Sequence, residues 1–337
     1  MEAVALSARS AFVTGAYGLL GGALVRALLD AGVHVTVLRR DDTALAALTL
    51  EGLEERCNVV HGDCTAAPIV ERAIAEYEVD TVFHLAAQTI VGTAGRAPAS
   101  TFETNVAGTW VVLEACRAQG VERVIAASSD KAYGNHDTLP YREDFALQPR
   151  FPYDASKAAA DLIARSYWHS FGLPVAVTRF ANLYGGGDMN ASRLIPEAVS
   201  AVIAGRPPVI RSDGTPERDF LYVEDAAAAY LAIAEALDRG QGRGEAFNGG
   251  GGRPHSVREV VELVCRVAGS EVEPDIRGTG TPSGEIDRQY VDATRLRELT
   301  GWEPRVDLED GLRRTVEWYR GHPEALVPPG AAAARPT

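Results

Sequence analysis

Short apolar segments alternate with longer amphipathic segments over the first two thirds of this 337-residue chain, and that alternation is the strongest constraint on its fold. The short segments are rich in β-branched residues and predict strands at Ser10–Thr14, Val33–Leu38, Asn58–His61, Thr81–Leu85, Val121–Ala127 and Val175–Arg179. The longer segments have helical spacing, at Leu19–Ala31, Pro68–Tyr77, Thr101–Ala118 and Ser156–Phe171. Continuous apolar strands separated by helices predict a doubly wound α/β fold, in which a parallel sheet is covered on both faces.

The chain beyond Arg179 differs, because glycine- and proline-rich loops separate its helices. Helical spacing continues at Leu194–Ala204, Glu224–Leu237, Val257–Ala268 and Leu308–Tyr319, so this part is expected to be folded. We expect a first domain over residues 1–180 and about 219–248, and a smaller, irregular α/β lobe over 181–218 and about 249–325. Residues 326–337 are rich in Ala and Pro and are expected to form a flexible tail.

Charge and composition argue against several classes of function. The formal net charge is −13, from 46 acidic against 33 basic residues with no basic cluster, which argues against a nucleic-acid partner. No apolar run approaches the roughly 18 residues that span a bilayer, which argues against a membrane partner. The four cysteines lack the paired spacing of a zinc or redox site, so we expect no metal, reduced thiols and a cytoplasmic location.

A glycine-rich turn joins the first predicted strand to the first predicted helix. It runs Thr14-Gly15-Ala16-Tyr17-Gly18-Leu19-Leu20-Gly21, and its glycines let the backbone approach a pyrophosphate at the helix N-terminus. Such turns also serve plain helix packing, but at the start of a βαβ unit this one favours dinucleotide binding. Gly15, Gly18 and Gly21 are therefore predicted to contact a nucleotide cofactor.

The end of the second predicted strand bears on which dinucleotide binds. NAD-specific sites usually place an acid there for the ribose hydroxyls, whereas this strand ends in Leu38-Arg39-Arg40-Asp41-Asp42. Arg39 and Arg40 fit the 2′-phosphate of NADP slightly better, while Asp41 or Asp42 would hold the ribose of NAD. Asp63, after the third strand, is placed either to meet the adenine edge or to cap the following helix.

Only two of the 33 basic residues are lysines, Lys131 and Lys157, and each lies in a motif that suggests chemistry. Lys157 ends the motif Tyr153-Asp154-Ala155-Ser156-Lys157, whose spacing puts the Tyr153 phenol and the ammonium on one helix face. A neighbouring cation favours phenolate, so we expect Lys157 to lower the pKa of Tyr153 from roughly 10 and make it a usable base. Such pairs are common on solvated helices, but the nucleotide-binding turn upstream favours a catalytic role.

Lys131 lies in Ser128-Ser129-Asp130-Lys131, directly after the fifth predicted strand. Open α/β sheets bind their ligands at the carboxyl ends of the strands. Ser129 is suited to hydrogen-bond a substrate hydroxyl, and Asp130 and Lys131 put an acid beside a base. A Ser/Asp cap with a solvated ion pair is the structural alternative, and the position at a strand end favours the functional one.

These motifs together resemble those of the extended short-chain dehydrogenase/reductases, the class of nucleotide-sugar epimerases and dehydratases. The resemblance extends over nearly all of the chain, through His84-Leu85-Ala86-Ala87-Gln88, Thr101-Phe102-Glu103-Thr104-Asn105-Val106 and Arg218-Asp219-Phe220-Leu221-Tyr222-Val223-Glu224-Asp225. It implies a Rossmann fold with a smaller substrate lobe, and a catalytic triad of Ser129, Tyr153 and Lys157.

Two branches of this class match different parts of the chain. The Asp130-Lys131 pair is similar to the Asp-Lys pair of CDP-glucose 4,6-dehydratases, and Gly185-Gly186-Gly187-Asp188 followed by Arg193-Leu194-Ile195-Pro196 resembles the same branch. The stretch from Arg218 to Asp225 instead follows the epimerase pattern. The nucleotide base of the substrate therefore stays open.

The resemblance implies a tightly bound NAD or NADP and a nucleoside-diphosphate sugar as the partners. At the cofactor it implies Gly15, Tyr17, Gly18, Leu19, Gly21, Arg39, Arg40, Asp63, Cys64, Leu85, Ala86, Ala87, Tyr153 and Lys157. Near the sugar and diphosphate it implies Gln88, Asn182, Arg193, Arg218 and Arg288. We expect Arg218 and Arg288 on the diphosphate, because a guanidinium binds two oxygens at once. A homodimer through the helices at 101–118 and 156–171 is also expected.

The leading functional hypothesis is a nucleoside-diphosphate-hexose 4,6-dehydratase that forms a 4-keto-6-deoxy sugar without net redox change. In that reaction Tyr153 would take the O4 proton, Lys131 the C5 proton, and Asp130 would protonate the departing C6 hydroxyl. The alternative is a 4-epimerase, which uses the same triad and leaves Asp130 and Lys131 without chemistry. A cofactor-sensing regulator on the same fold is a third hypothesis, and the Tyr153–Lys157 pair argues against it.

Overall fold

The computed structural model of the chain describes residues 7–190, 192–280 and 286–326. The strands within these ranges are β1 (Ser10–Thr14), β2 (His34–Arg39), β3 (Asn58–His61), β4 (Thr81–His84), β5 (Arg123–Ala127), β6 (Val175–Phe180), β7 (Asn182–Tyr184), β8 (Val209–Ile210), β9 (Glu217–Tyr222), β10 (Ala246–Gly249), β11 (Pro254–Ser256), β12 (Asp275–Ile276) and β13 (Arg288–Gln289). Leu326 is the last described residue, so the remainder of the expected tail, 327–337, lies outside the described residues.

The α-helices in the described residues are α1 (Leu19–Asp30), α2 (Ala47–Leu50), α3 (Ala67–Glu76), α4 (Val91–Arg96), α5 (Pro98–Phe102), α6 (Gly108–Gln119), α7 (Pro152–Phe171), α8 (Leu194–Ile203), α9 (Val223–Asp238), α10 (Val257–Val267), α11 (Thr294–Thr300) and α12 (Leu308–Gly321). Short 3₁₀ turns lie at Glu54–Arg56, Asp130–Tyr133 and Pro323–Ala325. The four helices expected beyond Arg179 are all present, each with bounds within two residues of the prediction.

A seven-stranded sheet with the order β3-β2-β1-β4-β5-β6-β10 is parallel throughout. Neighbouring residues of β1 enter different apolar cores, Phe12 on one face and Val13 on the other. Helices α1 and α9 cover the face of Val13, and α3, α6 and α7 cover the face of Phe12. The predicted doubly wound α/β fold is therefore confirmed. It has one strand more than predicted, β10, which runs directly into the glycine-rich loop that follows Asn248.

The strand order reverses between β1 and β4, which creates the crevice where such sheets bind ligands. Thr14 and His84 are paired at the carboxyl ends of these two strands, and Thr14 Oγ1 lies 2.8 Å from His84 Nδ1. The same oxygen accepts hydrogen bonds from the backbone amides of Leu85 and Ala86, both at 3.2 Å. Burial lowers the pKa of His84 to about 3, so the ring is neutral. Its hydrogen bond to Thr14 gives it a structural role below the crevice.

A second sheet and a separate apolar core form a smaller lobe. Strands β7, β11 and β13 all pair with β9, and β8 pairs with β12 in a two-stranded ribbon. The core of this lobe is built from α8, α10 and α12, with side chains such as Val199, Val260 and Leu312. Since β9 spans Glu217–Tyr222, the boundary expected at residue 219 falls inside a strand of the small sheet, whereas α9 packs on the large one.

The single helix predicted for residues 101–118 is interrupted. Residues 101 and 102 are the end of α5, a wider π-helical turn covers Glu103–Ala107, and α6 begins at Gly108. The turn carries Asn105, whose buried amide accepts from the Gln88 amide at 2.7 Å and donates to Ser156 Oγ at 2.8 Å. Asn105 thus ties the loop after β4 to α7, a role that helical periodicity alone does not reveal.

Candidate active site

The glycine-rich turn lies at the floor of the crevice. Gly15 has a φ of +74°, and a Cβ at this position would lie 2.7 Å from the Ala86 amide nitrogen. A Cβ on Gly21 would overlap the Gly15 carbonyl oxygen and Ala16. Gly18 caps the 12-residue helix α1 without a side-chain hydrogen bond, so the amides of its first turn face the crevice. Backbone this close to the helix N-terminus fits a pyrophosphate.

A cavity of about 210 Å³ opens above this turn. Of the residues predicted at the cofactor, the cavity is lined by Gly15, Tyr17, Gly18, Arg40, Asp63, Cys64, Ala86 and Ala87. Six others of the predicted set are not part of its lining: Leu19, Gly21, Arg39, Leu85, Tyr153 and Lys157. Asp41, the predicted alternative for the ribose of NAD, lines it as well. So do Leu38, Thr43 and Thr104, which were not predicted at the cofactor. The lining combines a glycine cradle, a helix N-terminus and polar groups at the end of β2, which together fit a dinucleotide.

The arginines at the end of β2 are already paired. Arg39 lies 2.7 Å from Glu54 Oε1 and 2.8 Å from Asp42 Oδ1, and the guanidinium of Arg40 lies 2.7 Å from Asp41 Oδ2. The Tyr17 hydroxyl also donates to Glu54, at 2.7 Å. Asp63 accepts from the amide and hydroxyl of Thr65, at 2.9 and 2.8 Å, so it caps the following turn while it lines the cavity.

The Tyr153–Lys157 pair lies in the first turns of α7, and both side chains are buried. The Lys157 ammonium donates to the Ala127 carbonyl at 2.8 Å, which fixes it at the end of β5. Burial lowers the pKa of Lys157 to about 8. Burial also raises the pKa of Tyr153 to about 12, against the opposing effects of Arg193 and of a hydrogen bond with Ser129. The expectation that Lys157 makes this phenol acidic is therefore wrong for the chain alone, because loss of solvation outweighs the nearby cations.

Ser129 and Asp130 continue the site at the end of β5. Ser129 caps the short turn that follows, since its hydroxyl accepts from the Lys131 amide at 3.2 Å and donates to Asp130 at 3.1 Å. Asp130 is 3% exposed, and burial raises its pKa although Lys131, Ser129 and Arg218 oppose the shift. A buried carboxyl whose pKa is raised is suited to act as a general acid.

The smaller lobe contributes polar side chains to the surroundings of Lys131. The Lys131 ammonium donates to Gln289 Oε1 at 3.4 Å. This hydrogen bond connects the turn after β5 to β13 of the small sheet. Asp219 on β9 is buried, accepts from the Gly251 amide at 2.7 Å, and has a pKa raised to about 7 by burial, with the charge of Asp130 adding to the effect. Asp154, beside Tyr153 on α7, has a pKa raised to about 6 by burial.

The predicted substrate residues are dispersed. Arg218 interacts electrostatically with Asp130, and Arg193 with Tyr153. Asn182 donates to the Asp219 carbonyl at 3.2 Å, and the Gln88 side chain accepts from the Ile90 amide at 2.9 Å. Arg288 points away from this group of residues.

The side chain of Arg288 is 54% exposed and lies 2.7 Å from Glu217. Successive residues of a strand point to opposite sides, so in β13 it is Gln289 that reaches the site. A two-residue strand has no periodicity that could have predicted which of the two faces inward.

Asp154 is a residue near the site that was not predicted. It lies inside the motif from Tyr153 to Lys157, but an acid in the first turn of a helix also indicates simple stabilisation of the helix dipole.

Two further features are limited to the described residues. No helix in them is both long enough and apolar enough to cross a membrane. No group of three or more His, Cys, Asp or Glu side chains in the same ranges is arranged to hold a metal ion.

Comparison with known proteins identifies the family. Residues 11–250 match the NAD dependent epimerase/dehydratase family, and the chain belongs to it. A dTDP-glucose 4,6-dehydratase of Streptomyces griseus is 36% identical over 335 residues, which cover 96% of this chain and 98% of that protein. A trifunctional UDP-glucose 4,6-dehydratase, epimerase and reductase of Arabidopsis thaliana is 34% identical over 269 residues, 79% of this chain but only 39% of that protein.

Solved structures of both an epimerase and a dehydratase share the fold. The UDP-glucose 4-epimerase of Thermotoga maritima, solved with UDP-glucose, has a TM-score of 0.85 at 30% identity and covers 93% of this chain and 99% of its own. The dTDP-glucose 4,6-dehydratase of Bacillus anthracis, solved with NAD, has a TM-score of 0.82 at 29% identity and covers 94% and 98%. These relatives are named for dTDP- and UDP-sugars, whereas the sequence motif Asp130-Lys131 suggested a CDP-sugar branch.

Proposed function

We propose that this protein is a nucleoside-diphosphate-hexose 4,6-dehydratase that forms a 4-keto-6-deoxy sugar. The observation that carries the proposal is the pair Asp130–Lys131, a buried carboxyl with a raised pKa beside an ammonium, next to Ser129 and Tyr153 at the carboxyl end of β5. An acid and a base in addition to the Tyr–Lys pair are what elimination of water requires. The relatives named as 4,6-dehydratases support the same conclusion.

The first half of the proposed reaction is oxidation at C4. Tyr153 takes the O4 proton, Ser129 hydrogen-bonds the same oxygen, and Lys157 holds the end of β5 in place through the Ala127 carbonyl. The chemistry that the dinucleotide supplies when bound is reversible hydride acceptance, from C4 and back to C6, so no net redox change results. Because the pKa of Tyr153 is raised to about 12 by burial, proton removal depends on positive charge near the phenol, and Arg193 supplies part of it.

The second half is elimination of water. The C4 ketone acidifies the C5–H bond, Lys131 takes the C5 proton, and Asp130 gives its proton to the C6 hydroxyl, which leaves as water. The bound dinucleotide would supply the hydride at C6, and Lys131 would return its proton to C5. The proton that Tyr153 took from O4 replaces the one that Asp130 gave up, so the net change is loss of one water molecule. Burial raises the pKa of Asp130, which favours the protonated form that this step requires.

A 4-epimerase is the second candidate, and the likeness to the Thermotoga maritima enzyme favours it. An epimerase needs only the oxidation half of this site, with hydride returned to C4. It would leave the buried Asp130 and the only other lysine of the chain without a chemical role. The dehydratase is preferred because it gives both Asp130 and Lys131 a chemical role.

Replacing Lys131 with Met tests the proposal, and Lys157→Met is its matched control. General bases contribute about 10²- to 10⁴-fold, so Lys131→Met should lose water elimination by that factor while oxidation at C4 persists and reduced cofactor accumulates on the enzyme. Lys157→Met should impair both halves. If the wild type yields only an isobaric epimer and Lys131→Met behaves like it, the 4-epimerase replaces the dehydratase.

We propose NAD rather than NADP as the tightly bound cofactor. The end of β2 and its neighbours carry Arg39 and Arg40 against Asp41, Asp42 and Glu54, and both arginines are paired with these acids. A 2′-phosphate would have to displace carboxylates from both guanidiniums, whereas ribose hydroxyls can donate to Asp41, which lines the cavity. The slight preference for NADP that Arg39 and Arg40 suggested does not hold once both are paired with carboxylates.

The nucleotide sugar is proposed to bind between the two lobes, with Gln88, Asn182, Arg193 and Arg218 as its contacts. Arg218 lies in β9 of the small sheet and interacts electrostatically with Asp130. This position suits a guanidinium that binds the diphosphate while the attached sugar lies at Asp130 and Tyr153. Arg288 would have to release Glu217 before it could reach the diphosphate.

A homodimer through α6, α7 and the adjoining α5 is also proposed. Large apolar side chains are exposed on these helices: Phe102 by 40%, Trp110 by 47%, Leu162 by 57% and Phe171 by 60%. Large apolar side chains exposed on three adjoining helices are typical of a surface that a second subunit covers. A cytoplasmic location is proposed because all four cysteines are free thiols, three of them buried.

A further inference from the structure

Gln289 connects the smaller lobe to the proposed elimination chemistry. Its side chain is fully buried in β13, and Oε1 accepts a hydrogen bond from the Lys131 ammonium at 3.4 Å. An ammonium can only donate, so the amide must present its oxygen to Lys131 and its NH₂ group elsewhere. The position of the lysine is therefore set by a residue 158 positions further along the chain.

Three buried polar atoms around this contact lack a hydrogen-bond partner among the described residues. They are Gln289 Nε2, Asp130 Oδ2 and Asp219 Oδ2. Gln289 pairs in register with Arg218, the neighbour of Asp219 on β9, and Asp219 interacts electrostatically with Asp130. Unpartnered polar groups of this kind, collected beside an ammonium, match the hydroxyl groups of a sugar, which can both donate and accept hydrogen bonds.

We propose that Gln289 is a positioning residue, which holds the Lys131 ammonium in place for removal of the C5 proton and offers its free amide NH₂ to the bound sugar. The proposal rests on the proposed dehydratase function. It assigns a residue of the smaller lobe to the second half of the reaction only, since Ser129, Tyr153 and Lys157 carry the first half.

The charges around Lys131 explain why an amide suits this position. Asp130 precedes it on the same turn, Asp154 faces it from α7, and Asp219 and Arg218 on β9 act on it through Asp130. Lys131 must lose a proton before it can act as a base. A neutral oxygen orients the ammonium without favouring its charged form, whereas a carboxylate in the same place would hold the proton on the lysine.

Gln289→Glu and Gln289→Met test this role, since both keep the side-chain length. A carboxylate within about 4 Å raises the pKa of a lysine by about 1 to 3 units, so Gln289→Glu should slow elimination about tenfold or more at neutral pH and move the alkaline rise of its pH profile upward. Gln289→Met should slow elimination without moving that profile. The exposed Gln241→Glu serves as the control and should match the wild type.

Each variant is followed by formation of reduced cofactor, which reports oxidation, and by release of the dehydrated sugar. The expected result is normal oxidation with slowed elimination, and no further loss when Gln289→Glu is added to Lys131→Met. Equal loss of both steps, or an unmoved pH profile in Gln289→Glu, would overturn the role of Gln289. A wild-type enzyme that releases no dehydrated sugar would instead refute the proposed function, so the two failures can be told apart.

Discussion

Replacement of Asp219 by Asn should stabilise the protein, and more so at high pH. Asp219 is 1% exposed, one of its oxygens accepts from the Gly251 amide, and the other lacks a partner in the described part of the chain. Burial, with the charge of Asp130, raises its pKa from 3.8 to about 7. Folding must therefore take up a proton, or bury a charge, wherever the unfolded chain is ionised.

The size of the effect follows from the two pKa values. A carboxyl whose folded pKa is raised costs nothing below its unfolded pKa of 3.8, and its cost grows until the pH passes about 7. At about 1.4 kcal/mol per pKa unit, the free energy of unfolding loses about 4 kcal/mol at pH 8 and about 2 kcal/mol at pH 5. Asparagine keeps the acceptor for Gly251 and is never charged, so Asp219→Asn should recover these amounts.

Urea unfolding at pH 5 and pH 8 measures the difference. Exposed Asp137→Asn, which removes the same formal charge, is the control and should change stability by less than about 0.5 kcal/mol at either pH. The expected result is a gain for Asp219→Asn that roughly doubles between the two pH values. A gain that is the same at both, or a loss at pH 8, would refute the view that Asp219 is held as a buried acid in this site.

Two other predictions concern the cofactor and the assembly. NAD should bind at least about tenfold more tightly than NADP by fluorescence titration, and Asp41→Ala should narrow that ratio because Arg40 is then free for a 2′-phosphate; equal affinities in the wild type would contradict the pairing argument. Leu162→Glu should convert the dimer to a monomer in light scattering at micromolar concentration, whereas Ile276→Glu on the smaller lobe should not; a monomeric wild type would end the proposal.

The large sheet could be predicted from the sequence because most of its first six strands contain a run of buried apolar residues, and burial on both faces demands such a run. The turn from Gly15 to Gly21 was recognisable for a related reason, since only glycine tolerates the close approach to Ala86. These features are local, because the pattern that predicts each of them spans only a few consecutive residues.

The contributions of the smaller lobe could not be predicted in the same way. Gln289 meets Lys131 because a two-residue strand pairs with β9, a contact between segments 71 residues apart. The pKa of Tyr153 depends on how completely both lobes exclude water, and the presence of Lys157 four residues away does not contain that information. The motifs predicted which side chains form the site. They could not predict burial, which shifts the pKa values of those side chains and results from tertiary packing.

Transfer of deuterium within the substrate tests the central claim most directly. The protein is incubated with glucose nucleotides labelled with deuterium at C4, carrying dTDP, UDP or CDP, and the products are analysed by mass spectrometry and NMR. The account predicts, for at least one of the three, a product lighter by one water that carries the deuterium at C6. An isobaric product with the deuterium still at C4 would contradict the dehydratase and identify a 4-epimerase.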